Sequence, residues 1–246
     1  MSALLEMRNV TAGYSTDIEI LQDLSLTVER GTICGLIGLN GAGKSTVLKT
    51  VAGFLKPKSG RILFDGEDIT AIAPSDLVAH EIAMIPQESS LFGYMSVRDN
   101  LLLPLRRRNQ ILKGRPVDER AVLAGIFERF PILREKADAH AASLSGGQQK
   151  QLEFAKVYAL KPKFCMIDEP SVGLAPAVAE QIFEWIRRFA AEGVAILLVD
   201  HNLRRVIEIA DYTYVLSLGR IAAEGPRASF EGDMHAQVQE WLGLAY

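Results

Sequence analysis

GLNGAGKST, Gly38 to Thr46, follows the continuous apolar run TICGLIG and precedes STVLKTVAG, whose apolar spacing is helical. The segment fits G-x-x-x-x-G-K-[ST] between a strand and a helix, the context that gives this motif its meaning. A run such as TICGLIG is a strand buried on both faces, so the chain must build a covered, parallel-type sheet around it. Glycines let successive backbone N–H groups converge on phosphate oxygens, and the helix N-terminus adds partial positive charge. Gly38, Asn40, Gly41, Ala42, Gly43 and Thr46 form the expected cradle. Lys44 is expected to reach the β- and γ-phosphates of a nucleotide, and the Ser45 hydroxyl to ligate Mg²⁺.

An acidic partner lies far along the chain. FCMIDEP, residues 164–170, reads as an apolar strand carrying Asp168 to its carboxyl end, where ligands bind in open parallel sheets. Asp168 suits the Mg²⁺ shell, and Glu169 beside it is placed to act as a general base on water. From residue 164 onward strands and helices alternate, which means a parallel sheet with crossover helices. Upstream, LLEMRNV and IEILQDLSLTV read as strands joined by the loop TAGYSTD, and RILF as a short strand after the turn KPKSG.

Between about 88 and 160 the apolar residues recur at helical spacing and strand signals vanish. Ser96 and Asp99 resemble a capping box opening a helix in VRDNLLLPL, with Pro104 expected to kink or end it. Arg106 to Arg108 are expected to be a solvated helix end.

The formal net charge is −3 and the pI about 5.9, so there is no basic field to attract nucleic acid, and none is expected as a partner. The start, MSALLEMRNV, has neither a basic segment nor a long apolar run, so no signal peptide is expected. GVAILLV, residues 193–199, is too short to span a bilayer, so any membrane role is expected to come through a partner. Cys34 and Cys165 sit inside apolar runs and are expected to be buried thiols.

One stretch remains after these assignments. LSGGQQKQ, residues 144–151, sets a serine and two glycines before a helix, a second anion cradle in a chain with one nucleotide loop. The Walker A loop, LSGGQ and then a strand ending in Asp-Glu, in that order, resemble the ATP-binding subunits of ABC transporters. The likeness covers essentially the whole chain. It implies an α/β fold: a P-loop NTPase (RecA-like) parallel-sheet core with an N-terminal antiparallel β subdomain and an inserted helical subdomain. The core is expected in 1–87 and 161–246, and the helical subdomain in 88–160.

In that family two such domains pair head to tail, each signature motif completing the partner's ATP site. The resemblance therefore implies that Ser145 caps a helix whose N–H groups at Gly146 and Gly147, with Gln148, meet a γ-phosphate held by the other subunit. Gln87 in MIPQESS resembles the glutamine that senses Mg²⁺ and the attacking water. His201 in LLVDHN resembles the switch histidine that contacts the γ-phosphate, and Tyr14 in TAGYS the aromatic that stacks on adenine. His80, His140 and His235 are expected in surface or packing roles. One departure is Ala175 in SVGLAP, where many members place Asp.

The implied cofactors are ATP and Mg²⁺. The implied partners are a second ABC ATPase subunit, identical or paralogous, and transmembrane permease subunits, which would hold the chain at the cytoplasmic face of the inner membrane. Phe92 and Tyr94 in LFGYMSVRDN would help form the groove for a permease helix. EPSVGLAP resembles the branch serving branched-chain and related amino-acid importers. PQESSLF and VDHN also resemble the lipopolysaccharide-export ATPase, which stands as the alternative, with a soluble non-transport ABC ATPase behind it. No heptad pattern joins the two nucleotide motifs, which argues against chromosome-maintenance ATPases.

Overall fold

The computed structural model describes residues 3–230 except 16 and 115. Two sheets organise it. β1 (Ala3–Ala12) lies inside a four-stranded antiparallel sheet, flanked by β2 (Leu21–Glu29) and β4 (Ser59–Phe64), with β5 (Glu67–Asp68) beyond β4. Leu24, Leu26 and Val28 of β2 alternate inward, as a half-buried strand requires. The strand expected to open at Ile18 begins only at Leu21. The reason is local: the loop doubles back so tightly that a Cβ on Gly13 would stand 1.8 Å from the Ile18 carbonyl oxygen.

The second sheet has β10 (Arg220–Pro226), β9 (Tyr212–Ser217), β3 (Ile33–Gly38), β8 (Ala195–Val199), β7 (Phe164–Asp168) and β6 (Ile82–Ile85) in that order. All neighbours are parallel except β10, which returns antiparallel on β9. Every residue of β7 and β8 is buried. Cys165, Ile167, Ile196 and Leu198 face one core, shared with α5 (Gly146–Leu160), α6 (Pro176–Ala191) and α7 (Leu203–Ile209). Phe164, Met166, Leu197 and Val199 face the other, shared with the antiparallel sheet and α1 (Lys44–Val51). This is the arrangement of a parallel sheet covered on both faces. It matches the expected α/β class with an antiparallel β subdomain. The β9–β10 hairpin and β6 are strands that the sequence patterns did not mark.

Among the described residues of 88–160 there is no strand, only α2 (Val97–Ile111), α3 (Glu119–Arg129), α4 (Pro131–Glu135), a single 3-10 turn (Ala141–Ser143) and α5. Ser96 Oγ accepts the Asp99 backbone N–H at 3.0 Å, so α2 opens as expected. Its end is different: the helix runs through Pro104 to Ile111. Pro104 lacks the N–H that the Asn100 carbonyl would take, but packing of Leu101 and Leu105 holds both turns. The arginine run is also not wholly solvated. Arg108 is 6% exposed and its Nε donates to the Leu160 carbonyl at 3.0 Å, satisfying the last turn of α5. Arg106 pairs with Glu119 on α3 at 3.2 Å.

Cys34 and Cys165 are free and buried, and burial pushes both thiols far above their ordinary range. Among the described residues, no helix is long and apolar enough to cross a membrane.

Candidate functional site

β3 runs straight into the phosphate-type loop. A Cβ on Gly38 would come within 2.3 Å of the Leu216 carbonyl oxygen of β9, so glycine is required where strand becomes loop. Gly43 sits at φ 111° as the N-cap of α1, a conformation open to glycine alone without strain. Lys44 is 6% exposed and turns back over the loop, donating to the carbonyls of Gly38 (2.9 Å) and Leu39 (3.0 Å). Desolvation pulls its ammonium below the ordinary lysine range, against the opposing pull of Glu169 and Asp168.

A cavity of about 510 Å³ opens above the loop. Asn40, Gly41, Gly43, Lys44, Ser45 and Thr46 line it, and Tyr14, Gln87, Glu169 and His201 reach it from four other segments. Gly38 and the buried Ala42 form the back of the loop. Tyr14 is 60% exposed at the rim, and Lys49 Nζ lies 5.6 Å from its ring centroid. Ile20 also lines the cavity, an apolar contact that the sequence reading had placed in a strand.

β7 carries Asp168 and Glu169 to the same end. Asp168 is buried beneath the cavity, and among the described residues its Oδ1 has no hydrogen-bond partner. Burial and then the Glu169 charge raise its carboxyl above the ordinary range, while the Ser45 hydroxyl and Lys44 draw it down. Glu169 adopts φ 47°, and its N–H donates to the Val199 carbonyl at 2.7 Å. That left-handed turn in a non-glycine residue stores strain of the kind found at functional sites. His201 Nε2 lies 2.8 Å from Glu169 Oε2.

Asp200 was missed by the sequence reading. It is fully buried, and its carboxylate accepts from Ser171 N (3.1 Å), Ser171 Oγ (2.8 Å) and Asn202 N (2.8 Å). It thereby ties the loop after Glu169 to the loop carrying His201. The available signal was its place at the end of the apolar run VAILLVD.

Ser145 to Gln148 lie elsewhere, outside the residues that line the Lys44 cavity. Ser145 Oγ accepts Gln148 N at 3.4 Å and Gln148 Oε1 accepts Ser145 N at 3.1 Å, a reciprocal capping box at the start of α5. Ser145 and Gly146 are exposed there. Ala175 is the N-cap of α6 and offers no side-chain bond to it. Phe92 and Tyr94 are 52% and 93% exposed. Of the remaining histidines, His80 Nδ1 is 3.8 Å from Glu67, His140 stands N-terminal to a short helical turn, and His235 lies outside the described residues.

A family model described as ABC transporter matches residues 21–172. The chain is 36% identical over 208 residues to the high-affinity branched-chain amino acid transport ATP-binding protein BraG of Pseudomonas aeruginosa, covering 85% of this chain and 87% of that one. It is 33% identical over 235 residues to the lipopolysaccharide export system ATP-binding protein LptB of Escherichia coli, covering 96% and 95%. Among solved structures, MJ1267, an ATP-binding cassette of an ABC transporter, superposes with a TM-score of 0.84 at 30% identity, covering 98% of this chain and 99% of that one. With the match spanning both nucleotide motifs, the chain belongs to the ABC transporter family, as one of its ATP-hydrolysing ATP-binding cassettes.

Proposed function

We propose that the chain is the motor subunit of an amino-acid importer, that it pairs head to tail with a second cassette, and that it binds ATP with Mg²⁺. The observation that carries the pairing is a division of labour. Lys44, Gln87, Glu169 and His201 share one cavity, while the exposed start of α5 lies apart from it with backbone donors free to serve a neighbour.

Each residue has a physical task in this reading. Lys44 exchanges its two loop carbonyls for phosphate oxygens, a stronger charge-assisted contact. Tyr14 offers a ring face at the cavity rim for adenine. Glu169 takes the proton of the attacking water, and the His201 imidazole, within hydrogen-bonding distance of it, fixes the carboxylate. Ser145 and the N–H groups of Gly146 and Gly147 receive the γ-phosphate held by the second copy.

The buried, unpartnered Asp168 Oδ1 beside Ser45 fits a hard cation held by few protein oxygens. Asp168 and Ser45 would hold Mg²⁺ together with Gln87. A cation held there would supply positive charge to offset the negative charge that develops on the phosphate oxygens.

Residues 88–160 form a helical unit set against the core of 1–87 and 161–246 in this reading, with permease subunits docking at Phe92 and Tyr94. The permeases place the chain at the cytoplasmic face of the plasma membrane. A net charge of −3 offers nucleic acid no attraction. The likeness to BraG and the string EPSVGLAP favour branched-chain or other hydrophobic amino acids as cargo. A second reading, lipopolysaccharide export, is favoured by the longer match to LptB.

Uptake of labelled leucine by cells lacking this chain separates them. Lost uptake is the expected result. Normal uptake with lipopolysaccharide retained in the inner membrane would move the assignment to export.

A further inference from the structure

Three residues beyond Gln87, the chain is gripped by α5. Ser90 N donates to Glu153 Oε1 at 3.0 Å, and Lys156 Nζ donates to the Ser90 carbonyl at 2.6 Å and reaches its Oγ at 3.4 Å. Both backbone groups of one exposed residue are thus held by two charged side chains. Glu153 and Lys156 are three apart on α5, so they share a helix face. Glu153 is 2% exposed, and Lys150 Nζ lies 2.6 Å from its other oxygen without hydrogen-bond alignment. Burial pulls the Lys156 ammonium below its ordinary range, and Glu153 opposes that shift.

A second grip follows. Asn100 of α2 is fully buried; its Oδ1 accepts Phe92 N at 2.9 Å and its Nδ2 donates to the Phe92 carbonyl at 3.0 Å.

The plainer account is that Glu153 is simply neutralised by Lys150 at the edge of a helical core, with Lys156 half-buried beside it. Burying a carboxylate costs several kcal/mol, however, and an apolar residue of similar volume often serves a core as well or better. Here Glu153 and Lys156 are both directed at the peptide groups of Ser90. The same helix is capped by Ser145, eight residues before Glu153, or about 12 Å along its axis. No glycine or proline interrupts it after Gly147, so its first turn and the Ser90 grip form one rigid rod.

We propose that Glu153 and Lys156 are positioning residues that carry the segment after Gln87 along with α5, so that engagement of the α5 N-terminus by a second copy also sets Gln87 in the cavity. The inference rests on the roles proposed above for Gln87 and for the Ser145–Gly147 turn. It adds the physical link between them.

Steady-state hydrolysis by the full chain tests it through Lys156→Met, Lys156→Arg, Gln87→Ala and the double variant Gln87→Ala/Lys156→Met. Lys156→Met should lower kcat about tenfold, the worth of one charge-assisted hydrogen bond, with KM for ATP little changed. Lys156→Arg, which keeps a cationic donor, should restore most of the rate. The double variant should be no slower than Gln87→Ala alone, because the lysine acts through the glutamine. Independent, multiplying losses would overturn the link while leaving the role of Gln87 intact. A wild-type rate for Gln87→Ala would instead overturn that role, and the link with it.

Hydrogen exchange gives a readout that does not depend on Lys156→Met folding. In Glu169→Gln with ATP, residues 88–92 and 145–150 should gain protection at the same nucleotide concentration. Protection of one segment without the other would overturn the proposal.

Discussion

His201 Nε2 and Glu169 Oε2 stand 2.8 Å apart, and the carboxylate is carried by a residue held at φ 47°. A strained backbone and an imidazole N–H together aim one oxygen pair into the cavity. If Glu169 is the base, Glu169→Gln should keep ATP binding and slow hydrolysis by roughly 10²–10⁴. His201→Ala should slow it too, and the double variant should be no slower than Glu169→Gln. Single-turnover rates with labelled ATP decide this; an Ala variant at the wild-type rate would remove His201 from the pair.

Lys44→Ala should abolish ATP binding while the thermal midpoint stays within a few degrees of wild type. Among the described residues the ammonium bonds to two carbonyls of its own loop, so its loss removes charge from phosphates more than it removes packing. Equilibrium binding of labelled ATP, alongside a melting curve, separates the two effects.

Tyr14→Ala should weaken ATP by roughly 1–3 kcal/mol if the exposed ring stacks on adenine. GTP should weaken by a similar factor, because stacking reads a ring face and not its edge. Unchanged affinity for both would return Tyr14 to being a loop tyrosine beside Lys49.

For the α5 turn, Gly146 is a better probe than Gly147. A Cβ on Gly147 would press to 3.1 Å on Val178 Cγ1, whereas on Gly146 its nearest contact is Leu174 Cδ2 at 3.9 Å. Gly146→Asp therefore places a carboxylate where a γ-phosphate is proposed to dock, without crowding α6. Alone it should bind ATP normally and fail to hydrolyse it. Mixed with Lys44→Ala, it should regain single-turnover hydrolysis, since one site of the mixed dimer keeps an intact loop and an intact turn. Confirmed pairing without regained activity would mean that the turn serves its own subunit.

Asp168 predicts a gain of stability from a loss of function. Its carboxyl is raised by burial and by Glu169, so the folded chain holds that proton more tightly than the unfolded chain does. The corresponding stability is fully present below the ordinary carboxyl range and is lost as pH rises through the raised folded value. Asp168→Asn removes the loss, so at neutral pH it should stabilise the fold by about 1 kcal/mol, or about 2–4 °C. Hydrolysis should fall away in the same variant. A lower midpoint at pH 7 than at wild type would contradict the sign.

The parallel sheet and its phosphate-type loop were legible because the strands that carry them are continuous apolar runs ending in glycine or acid. The β9–β10 hairpin escaped notice because its turn is Leu218-Gly219, with leucine at φ 46° where Asn or Asp would have signalled it. α2 outlasts Pro104 because tertiary packing outweighs one missing helical bond, a fact no local pattern contains. Asp200 and Glu153 were invisible for a further reason. A buried polar residue has meaning only through its partners, and the partners that tie these two to other segments, Ser171 and Ser90, are 29 and 63 residues away.

The division of β7 and β8 between two cores has a consequence for how such a chain diversifies. Cys165 and Ile167 are held by the helical side, and Phe164 and Met166 by the antiparallel sheet. The strand that ends in Asp168 is thus anchored twice, from opposite sides and by different neighbours. Substitutions that reshape the helical half, where a membrane partner is proposed to dock, loosen one anchor and leave the other in place. The acid keeps its address while its surroundings are redrawn.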